Sequence, residues 1–325
     1  MARIDIITRT RDRPFFLRRV LGTIAAQTFK DWHLVLVDQG DSEVSRALLA
    51  TMEDFKGKYT VVSAPPDVNI AVMCNLGIAA GTGELINVLD DDDTWHPAYL
   101  EAMETALRRR PHPRFAAAAC QTIDIEEEQA PNGDWVTTRQ YPKTPFGPIT
   151  VLDVLRHPVF HLNAFLYERR CHDLIGPINE NPVCGEDWEF HRRFICQFDV
   201  MVLSEQLTYY HKRPKAMTGA EANTKNRYSQ HIARYYSSST VNRDIRETLG
   251  ENPAQLGLFA ALAQLESNIT RRLRMMEDRM ALMQADLDRM SEKVGKINSR
   301  SKAISDRVVP RNVREKDSFS KLSDG

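Results

Sequence analysis

Glu84-Leu85-Ile86-Asn87-Val88-Leu89-Asp90-Asp91-Asp92-Asp93-Thr94-Trp95-His96-Pro97 is the stretch that decides how this chain folds. Leu85 to Leu89 is a short apolar run of the kind that forms a strand buried on both faces. It runs straight into four carboxylates, and Pro97 suits the first turn of a helix. Four adjacent Asp side chains repel one another and need compensation. Solvent and salt supply it in a loop, whereas a divalent cation supplies it in a site. Hard oxygen donors at the carboxyl end of a strand suit Mg²⁺ or Mn²⁺, and a metal held this way commonly also holds a phosphate. An isolated acidic run reads as a solvated turn. Here the strand before it and Trp95-x-Pro97 after it favour a site.

Working outward, Ile4 to Thr8 is β-rich and is followed by Arg9-Thr10-Arg11-Asp12-Arg13-Pro14. Pro14 opens a helix with Phe16, Val20, Leu21 and Ile24 on one face. Trp32 to Val37 is the next strand and ends on Asp38-Gln39-Gly40-Asp41-Ser42. Tyr59 to Val62 is a third strand, and Ile70 to Ala80 is a helix stopped by Gly81-Thr82-Gly83. A helix from Pro97 to about Arg110 follows the acidic run. Strands alternating with helices predict βαβ units and a largely parallel, Rossmann-like sheet in an α/β fold. Ligands bind such sheets beyond the carboxyl ends of the strands, where Thr10, Asp38 and Asp90 to Asp93 fall.

The second half reads as a strand from Arg114 to Thr122, then an exposed hairpin or loop from Glu126 to Tyr141 turning at Asn132-Gly133. A further strand spans Phe160 to Tyr167, with a short helix at Arg169 to Leu174. Trp135, Tyr141, Phe146 and His161 are candidate cleft aromatics, although each is better explained by ordinary packing. Gly185-Glu186-Asp187-Trp188-Glu189 starts another helix, whose early acids suit the helix macrodipole. Its pattern predicts Trp188 and Phe194 inside, with Glu189, Arg192 and Arg193 outside. Val200 to Leu203 is a strand, and Tyr209-Tyr210-His211-Lys212-Arg213-Pro214 follows it, bringing cations suited to phosphate.

Taken together these segments resemble family 2 glycosyltransferases, whose fold is called GT-A. Leu89-Asp90-x-Asp92-Asp93-x-Trp95-x-Pro97 is similar to the family's Asp-x-Asp motif, and Ile6 to Pro14 to its opening strand and loop. Val37-Asp38-Gln39-Gly40 resembles its acidic turn, and Asn75-Leu76-Gly77-Ile78 with Gly83-Glu84 resembles the segment leading to the metal strand. Glu186-Asp187-Trp188-Glu189 resembles its Glu-Asp segment. The chain departs from the pattern at Gln39, Cys74, Arg9 and Arg11, and in the His211-x-Arg213 order. The resemblance implies an inverting transferase acting on a nucleotide-diphosphate sugar donor and a hydroxyl of a glycan or other acceptor. It implies Mn²⁺ or Mg²⁺ held by Asp90, Asp92 and His211, and donor contacts from Thr10, Arg13, Asp38, Asn75, Asp90, Asp91 and Arg213. Asp187 would be the general base, with Glu186 its neighbour. Lys212, Arg213 and Lys215 would close over the diphosphate as a basic lid.

From Phe259 onward apolar residues recur by threes and fours. Leu273, Met280, Leu287, Val294 and Val308 take heptad position a, and Ile269, Met276, Met283, Met290, Ile297 and Ile304 take position d. Only Glu266 and Ser301 interrupt the seam, both at a. Such heptads predict a coiled coil, with itself or with another protein's helix; a helix folded back on the catalytic domain is the alternative. The expected organisation is a catalytic domain over 1–225, a helical linker over 226–255, a coiled coil over 256–309 and a disordered tail over 310–325.

The 325 residues carry 43 Lys and Arg against 44 Asp and Glu, a net charge of −1 that gives no sign of a nucleic-acid partner. Five cysteines, odd in number and without CxxC pairs, read as reduced thiols in a cytoplasmic protein. No apolar run approaches the length of a membrane span, leaving the cytoplasm or the inner membrane face as the expected location. Two other readings stay open: a nucleotidyltransferase, which usually carries a Gly-rich first loop absent here, and a scaffold with an inactive transferase domain.

Overall fold

The computed structural model describes residues 3–180, 185–216 and 253–308. The chain divides into two compact units, Met1–Asp244 and Ile245–Gly325. The expected linker over 226–255 lies outside the described residues except for 253–255, and so does the tail over 310–325.

The first unit is a nine-stranded mixed sheet dressed with helices. Its first half alternates strand and helix as expected: β1 (Ile4–Thr10), α1 (Pro14–Ala25), β2 (Trp32–Asp38), α2 (Ser42–Ala50), β3 (Tyr59–Ser63), α3 (Ile70–Ala80) and β4 (Leu85–Val88). β3, β2, β1 and β4 lie side by side and parallel, with Ile7 opposite both Val35 and Val88. β1 is buried on both faces. Ile4 and Ile6 join one core with Val20, Leu21 and Leu34, while Ile7 joins the other with Val35, Val37 and Val88. α3 approaches β1 closely because Gly77 has no side chain: a Cβ there would lie 2.4 Å from Ile7 Cγ2.

After the acidic run come β5 (Thr94–Trp95), α4 (Tyr99–Arg108), β6 (Phe115–Gln129) and β7 (Trp135–Pro142). α5 (Val151–Arg156), β8 (Phe165–Glu168), α6 (Arg169–Ile175), α7 (Glu186–Gln197) and β9 (Asp199–Lys212) complete the unit. β8 is antiparallel between β4 and β6, and β9 runs parallel to β6 on its other edge. The hairpin expected around Asn132-Gly133 is β6–β7. Four expectations need correction. The helix expected from Pro97 starts at Tyr99, after the short β5. The strand expected over Phe160 to Tyr167 begins only at Phe165, after a 3-10 turn at Leu162–Ala164. Tyr209 to Lys212 do not follow a strand but belong to β9, paired with Ile123 to Glu126. Glu189 and Arg192 do not face solvent: both are buried, Glu189 held by Arg193 at 2.6 Å and Arg192 stacked over Trp188.

The second unit's described part is α8, a single helix over Pro253–Val308. Among the described residues no helix is long and apolar enough to cross a membrane. Among the described residues Cys74, Cys120 and Cys171 are buried thiols and Cys196 is an exposed one.

His191 stands inside the apolar core of α7. It is 1% exposed, its ring lies 4.2 Å from that of Phe160, and neither ring nitrogen has a hydrogen-bond partner among the described residues. Burial pushes the imidazole down to about 3. The unfolded chain protonates near the ordinary His value of about 6.5, so below that pH the unfolded state binds the extra proton. Folding stability should therefore fall as pH drops from about 6.5 toward 3, by about 2 kcal/mol at pH 5 from this residue. His191→Phe should remove that share and leave the acid sensitivity due to His161, His172 and His211, which burial also pushes down. Urea unfolding of both proteins at pH 7 and pH 5 checks this, and an identical pH loss in the variant would assign the acid sensitivity elsewhere.

Candidate active site

The parallel register places the carboxyl ends of β1, β2 and β4 side by side, with Thr10 opposite Asp38. Thr10 and Asp90 to Asp93 meet at this edge. A cleft of about 620 Å³ opens there, lined by Arg9 to Arg13 of the first loop, Gln39, Asp90, Asp91, Asp92 and Tyr210, with Ile70 and Met73 of α3 at its side. Asp12 holds a left-handed backbone, φ 52°, a conformation that costs energy outside glycine and is found where a loop is shaped for a site. The β2–α2 turn packs against it so closely that a Cβ at Gly40 would lie 2.1 Å from Asp12 Oδ1.

Three of the four adjacent carboxylates are compensated by arginines, and the fourth by neutral donors. Asp90, whose side chain is 41% exposed, accepts from Arg9 Nε at 2.9 Å. Arg9 also donates to the Ile70 carbonyl at 3.1 Å. Burial pulls Arg9 down, but Asp90, Cys74 and Glu186 together outweigh it and leave the guanidinium firmly protonated. Asp91 is buried and accepts from Thr10 Oγ1 at 2.7 Å and Arg13 Nη1 at 2.9 Å. Burial and the adjacent Asp92 push its carboxyl up. Asp92 takes Arg13 at 3.3 Å through Oδ2, the oxygen that also binds the fully buried Arg213. Asp93 faces inward, accepting from Asn163 Nδ2 at 2.7 Å and from the His211 backbone N–H at 3.1 Å. It ties the acidic turn to β9 and the 3-10 turn.

Behind the turn sits Glu127 of β6, within the stretch expected as an exposed hairpin or loop. Its carboxylate accepts from Arg19 at 2.5 Å and His211 Nδ1 at 2.8 Å, and lies 3.7 Å from Arg213. Burial pushes Glu127 up, but the His211 and Arg19 bonds outweigh it and hold the carboxyl below its usual range. Burial pushes His211 down. The ring is then neutral, with Nδ1–H donating to Glu127 and Nε2 accepting from the Thr94 hydroxyl at 2.8 Å.

The expected site residues divide into four groups. Thr10, Arg13, Asp90, Asp91 and Asp92 come together on the cleft wall. Asp38 and Asn75 do not line it. Asp38 is buried and accepts from Gly40 N at 2.7 Å and from the Ser45 hydroxyl, while Asn75 donates to Ile178 O and Glu180 Oε1, both at 2.8 Å, pinning that loop to α3. His211 and Arg213 lie behind the acidic turn. The basic lid is corrected: Arg213 is 0% exposed, and Lys212 and Lys215 are paired with Asp124 at 2.5 Å and Glu128 at 2.7 Å. Glu186 and Asp187 open α7 after Gly185, whose φ of 78° sets the entry turn. Glu186 acts electrostatically on Arg9. Tyr210, on the cleft wall, feels Asp90, Asp92 and Asp93 together with Asp187; burial first, then these charges, push its hydroxyl up. The two acidic segments thus act on one cleft.

Asp90 Oδ2 and Asp92 Oδ1 have no hydrogen-bond partner among the described residues. Both are hard oxygens, and Asp90 opens to the cleft. Mg²⁺ ordinarily takes one or two carboxylates and completes its shell with phosphate and water. The pair offers two carboxylate oxygens to such a cation, and among the described residues no group of three or more His, Cys, Asp or Glu is arranged to hold one. For His211 to join, Thr94 must give up Nε2.

Comparison with known proteins decides the family. The chain matches the family model described as glycosyl transferase family 2 over residues 5–170. The chain belongs to glycosyltransferase family 2. This membership sets aside the nucleotidyltransferase reading. The chain is 28% identical over 99 residues to the uncharacterized glycosyltransferase alr2836 of Nostoc sp., covering 30% of this chain and 31% of that protein. It is 27% identical over 110 residues to the O-antigen biosynthesis protein RfbC of Myxococcus xanthus, covering 33% of this chain and 9% of the relative. The chain thus spans less than a third of the length of either curated relative. The crystal structure of S. aureus TarS 1-349 in complex with UDP-GlcNAc superimposes with a TM-score of 0.51 at 14% identity, over 78% of this chain and 77% of that one. At that identity the likeness shows the fold, GT-A, and no more.

Proposed function

We propose that this glycosyltransferase moves a sugar from a nucleotide-diphosphate donor to a hydroxyl of a glycan or similar acceptor, with inversion at the anomeric carbon. The observation that carries the reading is the acidic turn of β4 on the wall of a cleft that also presents Arg9, Thr10 and Arg13 and feels the acids of α7. Arg9 and Arg13 bring guanidinium groups suited to a diphosphate. Asp90 and Asp92 would hold Mn²⁺ or Mg²⁺, which when bound neutralises charge on a diphosphate leaving group. Asp187 takes the proton from the acceptor hydroxyl as its oxygen attacks the anomeric carbon and the bond to the diphosphate breaks on the opposite face. Asp38, Asn75, His211 and Arg213 act from behind, shaping the walls. The O-antigen relative motivates a polysaccharide or glycoconjugate product, and the buried cysteine thiols motivate a cytoplasmic location or the inner membrane face.

Asp90→Asn is the cleanest test of the cation role, because Asp90 is partly exposed and its loss strands only Arg9 beside the cleft. Calorimetric titration with UDP and with GDP, each with and without Mn²⁺, should show Mn²⁺-dependent nucleotide affinity in the parent. The variant should lose that dependence and keep its thermal unfolding profile. Equal Mn²⁺ dependence in the two proteins would remove Asp90 from the cation site.

A further inference from the structure

Helix α8 leaves its heptad seam uncovered: from Leu273 to Ile304 the apolar a and d side chains are 53 to 66% exposed. An apolar stripe this long marks an interaction surface. We infer that its occupant is a second copy of this chain, lying parallel and in register.

Two features of the helix select this arrangement over others. The first is charge along the seam's edges. Heptad position g carries Arg272, Arg279, Asp286, Lys293 and Arg300, and position e carries Glu277, Gln284, Ser291 and Asn298. An antiparallel pair sets g against g. Whatever register is chosen, basic residues then face basic residues, and Asp286 relieves little because Arg289 of its own helix holds it at 2.7 Å. A parallel pair sets g against the following e. Arg272 then meets Glu277 of the other copy, the remaining e positions are neutral, and no like charges are opposed. Each exposed pair is weak, but the antiparallel arrangement repeats the penalty along the coil, and like charges set against each other exclude wrong pairings.

The second feature is the polar break at Ser301. A polar residue at an a position favours the register in which it meets its own kind. In a parallel, in-register pair Ser301 meets Ser301, and the hydroxyls satisfy one another. A slip of one heptad sets Ser301 against Val294. An antiparallel pairing centred between Leu287 and Met290 sets it against Met276. Both alternatives bury a hydroxyl against an apolar side chain, at a cost. The methionines at d adapt to two or more strands, so the inference concerns orientation and register.

A parallel coil joins every copy from the same end, so several catalytic domains act as one tethered set on a repeating acceptor, with raised effective concentration. The test uses the full-length chain in a Cys196→Ser background, which removes an exposed cysteine. Light scattering at micromolar concentration should give a multiple of the 37.1 kDa chain mass. Met276→Cys and Ile297→Cys, made separately, should each form a homotypic disulfide under mild oxidation that reductant reverses, because each d position meets itself only in a parallel, in-register coil. A monomer in light scattering would overturn the inference. So would cross-linking confined to a mixture of the Met276→Cys and Ser301→Cys chains, the antiparallel signature, or co-purification of a different protein that prevents self-association.

Discussion

Asp187→Asn should abolish most sugar transfer while leaving nucleotide affinity unchanged. Asp187 begins α7, where the helix N-terminus favours a carboxylate, and its Oδ1 accepts from the Trp188 backbone N–H at 2.7 Å. Asparagine has the same shape and keeps an oxygen acceptor at that place, so the helix start survives. What disappears is the capacity to take a proton. Loss of a general base typically lowers the rate about 10²–10⁴-fold. Initial rates with a saturating donor, alongside calorimetric titration of the nucleoside diphosphate, separate the two effects. Near-normal turnover with intact donor affinity would move the base elsewhere, with the buried Glu186 the next candidate.

The second large effect is on folding. Arg213 is fully buried, its guanidinium lies 4.3 Å from the Phe16 ring centroid, and its acidic partners Asp92 and Glu127 are themselves almost covered. Removing one member of a buried charged set strands the others and typically costs about 3–5 kcal/mol. Arg213→Met should therefore destabilise the first unit by about that amount, read as a lower urea midpoint with unchanged slope. Adding Glu127→Gln should recover part of the loss, since one stranded charge is removed with the cation. A stable Arg213→Met protein that binds nucleotide poorly would instead give Arg213 the diphosphate contact that the family resemblance implied.

What could be read in the chain, and what could not, follows from the range of the interactions. β1, β2 and β4 are buried on both faces, so each carries a cluster of apolar residues; β1 and β2 end at Thr10 and Asp38, β4 leads through Leu89 into Asp90, and the parallel register brings these ends to one edge. Thr10 and the acidic turn were therefore legible. Glu127 was not. Its neighbours Glu126 and Glu128 make it look like part of a solvated acidic strand, and only the pairing of β6 with β9, across more than 80 residues (Ile125 opposite His211), turns it inward to Arg19 and His211. The same pairing explains Arg213, whose basic flanks read as a lid until β9 carries it beneath Asp92. α5 was missed because it is only six residues long, although Thr150 and Asp153 carry a short capping signal. Glu189 and Arg192 defeat a simple inside–outside pattern because buried charge is tolerated where a partner is supplied, and those partners, Arg193 and Trp188, sit on the same helix.

Turnover of a nucleotide sugar tests the central claim most directly. The full-length protein is incubated with a panel of UDP-, GDP- and dTDP-sugars in Mn²⁺ or Mg²⁺, with and without glycan acceptors, and released nucleoside diphosphate is measured. The account predicts release from at least one donor, stimulated by an acceptor, lost on chelation, and strongly reduced in both Asp90→Asn and Asp187→Asn. Absence of both nucleotide binding and release across the panel would contradict it, and would leave the chain as a scaffold built on an inactive transferase fold.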